Sequence, residues 1–387
     1  MNKRSTGTGY RRSARRLAMT GAFLWMLAAP GVTSAQTFSS EQHKFRLVTI
    51  AQGLTHPWSL AFLPNGDMLV TERPGRLRII RDGQLDPTPV PGVPRVAPGG
   101  QGGLLDVALH PRFAENRLLF LSYAGAGSGG RGTEVARARL VEDRLVDLKT
   151  ILVVLPKSSG GRHFGSRLLF GRDGFLYVTL GERGDSERAQ NLGDLAGSVA
   201  RITEHGKAPS DNPFVGRPDA RPEIYTYGHR NPQGLTLHPE TGQIWEAEHG
   251  PKGGDEINIL IPGVNHGWPV ITHGRSYAGF KIGEGTSKPG MAQPVQYWVP
   301  SISPSGMAFY TGTDFPSWRG NLFLGALSGR ALVRLALDGT LVVREERLLL
   351  DFGKRIRDVR QGPDGRLYLL TDASDGALLR LDPSGGG

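Results

Sequence analysis

The strongest constraint on this chain is a strand–turn–strand unit that recurs six times. WSLAFLPNGDMLVTE (58–72), LLDVALHPRFAENRLLFLSYA (104–124), SRLLFGRDGFLYVTLGE (166–182), QGLTLHPETGQIWEAEHG (233–250), SGMAFYTGTDFPSWRGNLFLGAL (305–327) and IRDVRQGPDGRLYLLTD (356–372) share one plan. An apolar strand runs into a turn rich in Pro, Asn, Asp or Gly, and a second apolar strand follows. Further strands flank these pairs, among them GRLRIIRDG, TEVARARLV, ALVRLALDG and GALLRLDP. Six units at a spacing of roughly 45–70 residues predict an all-β fold, a six-bladed β-propeller with four-stranded blades around a central channel. The reason is edge management: a lone blade cannot bury both faces, and radial stacking closes the array without long free edges. Two β-sandwiches are the alternative, but no composition break or linker divides the chain. NLGDLAGSVARI (191–202) reads as a short helix or a loop.

The formal charge of +10 belongs largely to the N-terminus. Residues 1–35 carry Lys3, Arg4, Arg11, Arg12, Arg15 and Arg16 and no acid, leaving 40 basic against 36 acidic residues in the remainder. Scattered arginines without a basic stripe argue against a nucleic-acid partner. The N-terminal segment has the plan of an export signal: a basic start, the apolar run LAMTGAFLWMLAAPGV, and Thr33-Ser34-Ala35 for cleavage. The run is short and broken by Pro30, which argues against stable membrane insertion. The expected organisation is a signal peptide over 1–35, a linker over 36–44 and a propeller over 45–383, in a periplasmic or secreted protein. The absence of cysteine excludes disulfides, zinc ribbons and thiol nucleophiles.

The polar residues of interest fall at strand ends, above all in 221–270, where Arg230, Asn231, Gln233, Glu248, Asp255, Glu256, Asn265 and Trp268 stand between short strand-like runs. A propeller gathers such loops at the mouth of its channel, so Gln101, His163, Arg230, Gly250 and Arg357 are expected to converge. GAGSGG (125–130) matches a dinucleotide fingerprint formally, but a strand-like segment follows it, so it reads as a hairpin loop. His110 and His238 sit in matching Leu-His-Pro turns and read as structural. His163 enters the third unit through a Gly-rich loop, where a neutral imidazole can take a proton near neutral pH. Arg355 and Arg357 alternate onto one face of a strand, a pairing suited to a ligand with several carboxylates. The turn EHGPKGGDEIN (248–258) offers hard oxygen ligands of the kind calcium takes.

Taken together, HPWSLAFLPNGDMLVTER, GQGGLLDVALHP, RHFGSRLLF, YGHRNPQGL, EHGPKGGDEIN, NHGWP, PSGMAFY and RIRDVRQGPDGRLYLLTD, in that order, resemble the soluble PQQ-dependent aldose sugar (glucose) dehydrogenase family over about residues 45–383. The resemblance implies pyrroloquinoline quinone (PQQ) over the channel and oxidation of aldoses at C1 to lactones, with electrons passed to an external acceptor. It implies His163 as the base at the C1 hydroxyl, with hydride moving to the quinone. It implies Gln101, Arg230, Asn231, Arg355, Arg357 and Tyr277 as contacts of the quinone or substrate. Carbonyls of Gly250 and Pro251 would hold the Ca2+ that binds PQQ, with Glu256 and the backbone at His266 forming a second, structural Ca2+ site.

Two positions depart from the family pattern. Ser328 stands where members often carry a lysine, with Arg330 as a candidate substitute, and Arg162 precedes the histidine in place of an acid. A calcium-dependent propeller lactonase or esterase, and a propeller that binds sugar or protein without catalysis, are the alternatives. A monomer or homodimer is expected.

Overall fold

A computed structural model describes residues 6–9 and 36–384. Residues 6–9 are exposed and carry no regular structure. The expected export signal otherwise lies outside the described residues. No helix among the described residues is long and apolar enough to cross a membrane.

The regular secondary structure of residues 36–384 is almost entirely strand. They begin with β1 (Gln36–Ser39) and β2 (Lys44–Leu54). Blade 1 follows as β3 (Pro57–Phe62), β4 (Met68–Glu72), β5 (Arg76–Arg81) and β6 (Gln84–Leu85). Blade 2 is β7 (Leu104–Leu109), β8 (Leu118–Gly127), β9 (Gly130–Val141) and β10 (Arg144–Val153). Blade 3 is β11 (Gly165–Phe170), β12 (Leu176–Leu180), β13 (Ser198–Ile202) and β14 (Ile224–Tyr227). Blade 4 is β15 (Pro232–Leu237), β16 (Ile244–Glu248), β17 (Asp255–Ile259) and β18 (Gln296–Trp298). Blade 5 is β19 (Pro304–Phe309), β20 (Leu322–Ala326), β21 (Ala331–Asp338) and β22 (Leu341–Leu348). Blade 6 is β23 (Ile356–Gln361), β24 (Leu367–Thr371) and β25 (Gly376–Pro383).

The chain closes the ring with its own N-terminal part. β2 pairs antiparallel with β25, from Phe45 opposite Pro383 to Leu54 opposite Gly376, and supplies the fourth strand of blade 6. β1 then adds a fifth strand on the outside of β2. Residues 36–39 are therefore sheet rather than the expected linker. Residues 191–202 also differ from expectation: their second half is β13, paired along β12. GAGSGG is the β8–β9 hairpin it was expected to be.

The first strands of the six blades, β3, β7, β11, β15, β19 and β23, pack against one another in a closed circle. One apolar cluster fills each gap between neighbouring blades. The largest, between blades 5 and 6, collects Phe45, Tyr310, Phe315, Trp318 and Phe323. Each innermost strand also pairs with its neighbour through a register shift close to its start. Such bulges re-aim side chains and increase local twist. Here they recur at one end of the ring, where the candidate site lies.

The channel is plugged by charge. Arg167 of β11 is 1% exposed. It ion-pairs with Asp106 at 3.4 Å and Asp358 at 3.0 Å, donates to the Gln233 carbonyl at 2.7 Å, and lies over the Trp58 ring at 4.1 Å. Arg360 joins the same two carboxylates at 3.1 and 2.9 Å. Removing one partner of a buried ion pair leaves an uncompensated charge, at a cost of about 3–5 kcal/mol. Arg167→Met should therefore lose about 3–5 kcal/mol in chemical denaturation. Adding Asp358→Asn should recover part of that loss. A loss under about 1 kcal/mol would mean the plug carries no structural weight.

Candidate active site

Above the plug a cavity of about 480 Å³ opens at the mouth of the channel. All six blades or their connecting loops supply its lining: Arg73 from blade 1, Gln101 before β7, His163 before β11, Arg230 before β15, the 249–253 turn and Tyr277 from blade 4, Leu327 and Ser328 from blade 5, and Arg355, Arg357 and Asp372 from blade 6. Gln101, His163, Arg230, Gly250 and Arg357 thus converge, and Tyr277, Arg355 and Pro251 line the same cavity.

His163 stands in the left-handed region at φ 56°. Its backbone N–H donates to Gln101 Oε1 at 2.7 Å, so Gln101 holds the loop that presents the imidazole. Gly181 makes room behind it, since a Cβ there would stand 2.2 Å from the His163 carbonyl. Asn231 lies just behind the lining, where its Oδ1 accepts from Gly165 N at 3.1 Å. The ring of His163 is fixed by Glu182, whose carboxylate lies 2.7 Å from Nδ1. Glu182 is 2% exposed and acceptor-only when ionised, so Nδ1 carries the hydrogen and Nε2 keeps its lone pair. Burial holds the His163 pKa below that of an ordinary histidine. The Glu182 carboxylate opposes that shift, while the charges of Arg230 and Arg162 add to it. The imidazole is consequently neutral at pH 7.

Cations dominate the rest of the cavity. Arg355 lies just before β23 rather than in it, yet both it and Arg357 reach Asp372 Oδ2, at 2.9 and 3.1 Å. Burial pushes Asp372 up, but the two guanidiniums outweigh it and hold the carboxyl well below the usual range. Arg357 also donates to Gln233 Oε1 at 2.6 Å. Arg230 donates to the carbonyls of His249 and Gly250, at 3.0 and 2.7 Å. Asp255, deep under the 249–253 turn, accepts from the backbone N–H groups of Gly250, Ile302 and Ser303 at 2.7–2.8 Å. It ties that turn to the loop before β19. Ser328 lines the cavity and is bonded to Ser303 at 2.9 Å. Arg330 is exposed and lies outside the lining, so it does not substitute at that position.

Glu256 and His266 lie elsewhere, in a separate space of about 10 Å³, room for a single ion or water. Strand register creates this second site. In the β16–β17 pair Glu248 faces Glu256 and Glu246 faces Asn258, so three carboxylates meet on one buried face. The Asn258 amide reaches toward all three, at 3.2–3.5 Å. Burial and mutual repulsion push Glu246 and Glu256 well above the usual carboxylate range. Both ring nitrogens of His266 and one oxygen of Glu246 are buried without a partner.

Both implied groups fit these residues. A planar polyanion suits the cavity, where Arg230 Nε, Arg357 Nε and Asn231 Nδ2 are buried donors without partners. A hard divalent cation suits three clustered carboxylates, two of which also lie beside the His229 imidazole, at 3.0 Å from Glu248 and 3.9 Å from Glu246.

Glu182, Asp372 and Glu246 had no role in the sequence reading, and Glu248 and Asp255 were singled out there without one of their own. A signal for several of them exists. Four of the six units carry an acid at the end of their second strand or within two residues beyond it: Glu72, Glu182, Glu248 and Asp372. All four are tied to the loops around the cavity or to the neighbouring site.

Comparison with known proteins gives the family. The glucose/sorbosone dehydrogenase family model matches residues 54–380. The chain belongs to that family. Membership makes it a sugar dehydrogenase, an oxidoreductase. It is 48% identical over 336 residues to the aldose sugar dehydrogenase YliI of Escherichia coli K12, covering 85% of this chain and 91% of that protein. A crystal structure of a glucose dehydrogenase superposes with TM-score 0.85 at 52% identity, covering 88% of this chain and 99% of the other. The PQQ-bound aldose sugar dehydrogenase of Streptomyces coelicolor superposes with TM-score 0.72 at 31% identity, covering 87% and 96%.

Replacing Glu182 by Gln removes the charge that raises the His163 pKa. In an imidazole NMR titration the His163 pKa of Glu182→Gln should fall further below 6.5. An unchanged or raised value would remove Glu182 as the group that sets it.

Proposed function

We propose that this protein oxidises aldose sugars at C1 to lactones, with PQQ and calcium bound and electrons leaving to an external acceptor. The observation that carries this reading is the neutral His163, its Nδ1 tied to Glu182, facing a cavity whose charged side chains are nearly all guanidiniums or ammonium. When bound, PQQ supplies the two-electron sink for the hydride that leaves C1.

The chain's own residues then divide the remaining work. His163 Nε2 accepts the proton of the C1 hydroxyl, without which a hemiacetal is a poor hydride donor. Glu182 holds the tautomer and steadies the imidazolium that forms, as a buried carboxylate does for a catalytic histidine. Arg355, Arg357 and Arg230 would hold the cofactor's carboxylates and oppose charge gained on reduction. Gln101 and Asn231 position the His163 loop, with Asn231 Nδ2 free for the cofactor. Tyr277, 70% exposed, stands at the rim where substrate enters. The carbonyls of Gly250 and Pro251 would hold one calcium at the cofactor. Glu256, with Glu246, Glu248 and the backbone at His266, would hold a second that is structural. The N-terminal basic and apolar segment fits export before the enzyme works.

Reconstitution tests the whole reading. Metal-free protein given calcium and PQQ together should reduce a dye with glucose, and neither addition alone should suffice. Folded, calcium-binding protein that stays silent with PQQ would favour a hydrolase or a binding propeller. His163→Ala should keep PQQ binding and lose about 10²–10⁴-fold in kcat. Because the neutral imidazole is the active form, kcat/KM should rise with pH through an apparent pKa below 6.5 and stay level above it. A rise centred above pH 7 would assign the base elsewhere.

A further inference from the structure

Two cations in the cavity have no hydrogen-bonded or ion-paired counterpart, although the Arg73 charge helps hold down the Asp372 carboxyl. Arg355 and Arg357 share Asp372, and Arg230 is bonded to two carbonyls. Arg73 and Lys252 line the same cavity, and among the described residues neither side chain has a hydrogen bond or an ion pair. They come from opposite sides of the ring. Arg73 follows β4 in blade 1, and Lys252 lies between β16 and β17 in blade 4. Arg73 is half-buried and Lys252 exposed; Arg230 and Arg357 are buried, and Arg355, though exposed, is held by Asp372. Asp372 is the one carboxylate in the lining and is already shared.

Side chains of one sign in a cleft focus the potential and concentrate ligands of opposite sign. A neutral hexose makes no use of that potential. Under the proposed function Arg230, Arg355 and Arg357 serve the cofactor, and Arg73 and Lys252 are left for the substrate. We propose that the substrate subsite takes aldoses carrying an anionic group remote from C1, specifically hexuronates with a free anomeric carbon. This inference rests on the proposed sugar oxidation and names its substrate class. A carboxylate at C6 changes the bulk of a hexose little, so it suits a cavity of about 480 Å³ that must also hold the cofactor. The chemistry at C1 is that of glucose. The C1–H and O1–H bonds break, the C1–O1 bond becomes the lactone carbonyl, and two electrons and two protons pass to the oxidised quinone. The product is an aldaric acid monolactone, which opens in water to the dicarboxylate.

The test uses the protein reconstituted with PQQ and calcium. Glucuronate, glucose and glucose 6-phosphate are compared at low salt and at about 0.15 M, where screening shortens to about 8 Å. The expected result is a kcat/KM for glucuronate about tenfold above that for glucose at low salt, shrinking as salt rises. Lys252→Gln and Arg73→Gln should each lower the glucuronate-to-glucose ratio several-fold. A ratio at or below one overturns the proposal. So do variants that slow both sugars equally, which would assign the two cations to the cofactor. Glucose 6-phosphate outrunning glucuronate would give the subsite to phosphorylated aldoses and overturn the uronate assignment. If no aldose is oxidised, the proposed function fails, and calorimetry decides the subsite separately. Glucuronate binding that is tighter than glucose and weakened in Lys252→Gln would keep the anion subsite, and equal binding would end it.

Discussion

A buried guanidinium on the channel axis is the constraint from which the rest of this structure follows. Taking the charge of Arg167 out of water is costly, and its location is tolerable only with compensation from several directions at once. Asp106 comes from blade 2, Asp358 from blade 6, the Gln233 carbonyl from blade 4 and the Trp58 face from blade 1. Those partners meet only when the ring is closed and the blades are in register. The six apolar clusters between blades supply the bulk of the burial without choosing among slightly different ring geometries. The charged plug makes that choice, because each of its contacts has a narrow range of distance and direction.

The plug also sets the floor of the active site. Arg167 donates to the main chain of Gln233, and the side chain of Gln233 accepts from Arg357. Arg357 then shares Asp372 with Arg355. A chain of polar contacts thus runs from the channel axis to the cavity that faces solvent. The bulge at the start of every innermost strand acts at the same level and turns the preceding residues toward the mouth. His163 is placed by three neighbours at once: Gln101 on its backbone, Glu182 on its ring, and the bare Gly181 behind its carbonyl.

Charge is sorted into two compartments that share one wall. The cavity at the mouth is rich in cations, and the pocket below the 249–254 turn is rich in buried carboxylates. Arg230 borders both. Its backbone N–H donates to Glu248 at 2.5 Å and its guanidinium to the Gly250 carbonyl. A divalent cation in the acidic pocket would neutralise carboxylates that burial now drives toward protonation. It would also stiffen the turn that carries Gly250, Pro251 and Lys252. An ion in the acidic pocket would in this way be mechanically joined to the shape of the cavity at the mouth through one short segment.

The repeated units, the hairpin at 125–130 and the His163 loop were legible in the sequence because each is local. A period-two apolar pattern and a turn residue announce themselves within a dozen positions. The convergence of Gln101, His163, Arg230 and Arg357 followed from the propeller expectation, since that fold gathers strand ends. The assignment of 36–39 to a linker missed a strand whose partner, β2, itself needs the far end of the chain. The acid at or just beyond the end of four second strands was present in the sequence, yet nothing local distinguishes Glu182 from a solvent-exposed turn acid. Its role depends on a histidine 19 residues earlier, brought against it by the loop geometry of blade 3. The same holds for the unpartnered charges of Arg73 and Lys252, and for the three glutamates and asparagine that strand register places on one face. The amino-acid sequence by itself determined the strands, the turns and the number of blades, because those rest on near-neighbour patterning. Which charges ended up paired, buried or free was decided only by the closed ring, because pairing energy depends on distances between residues that the chain keeps far apart.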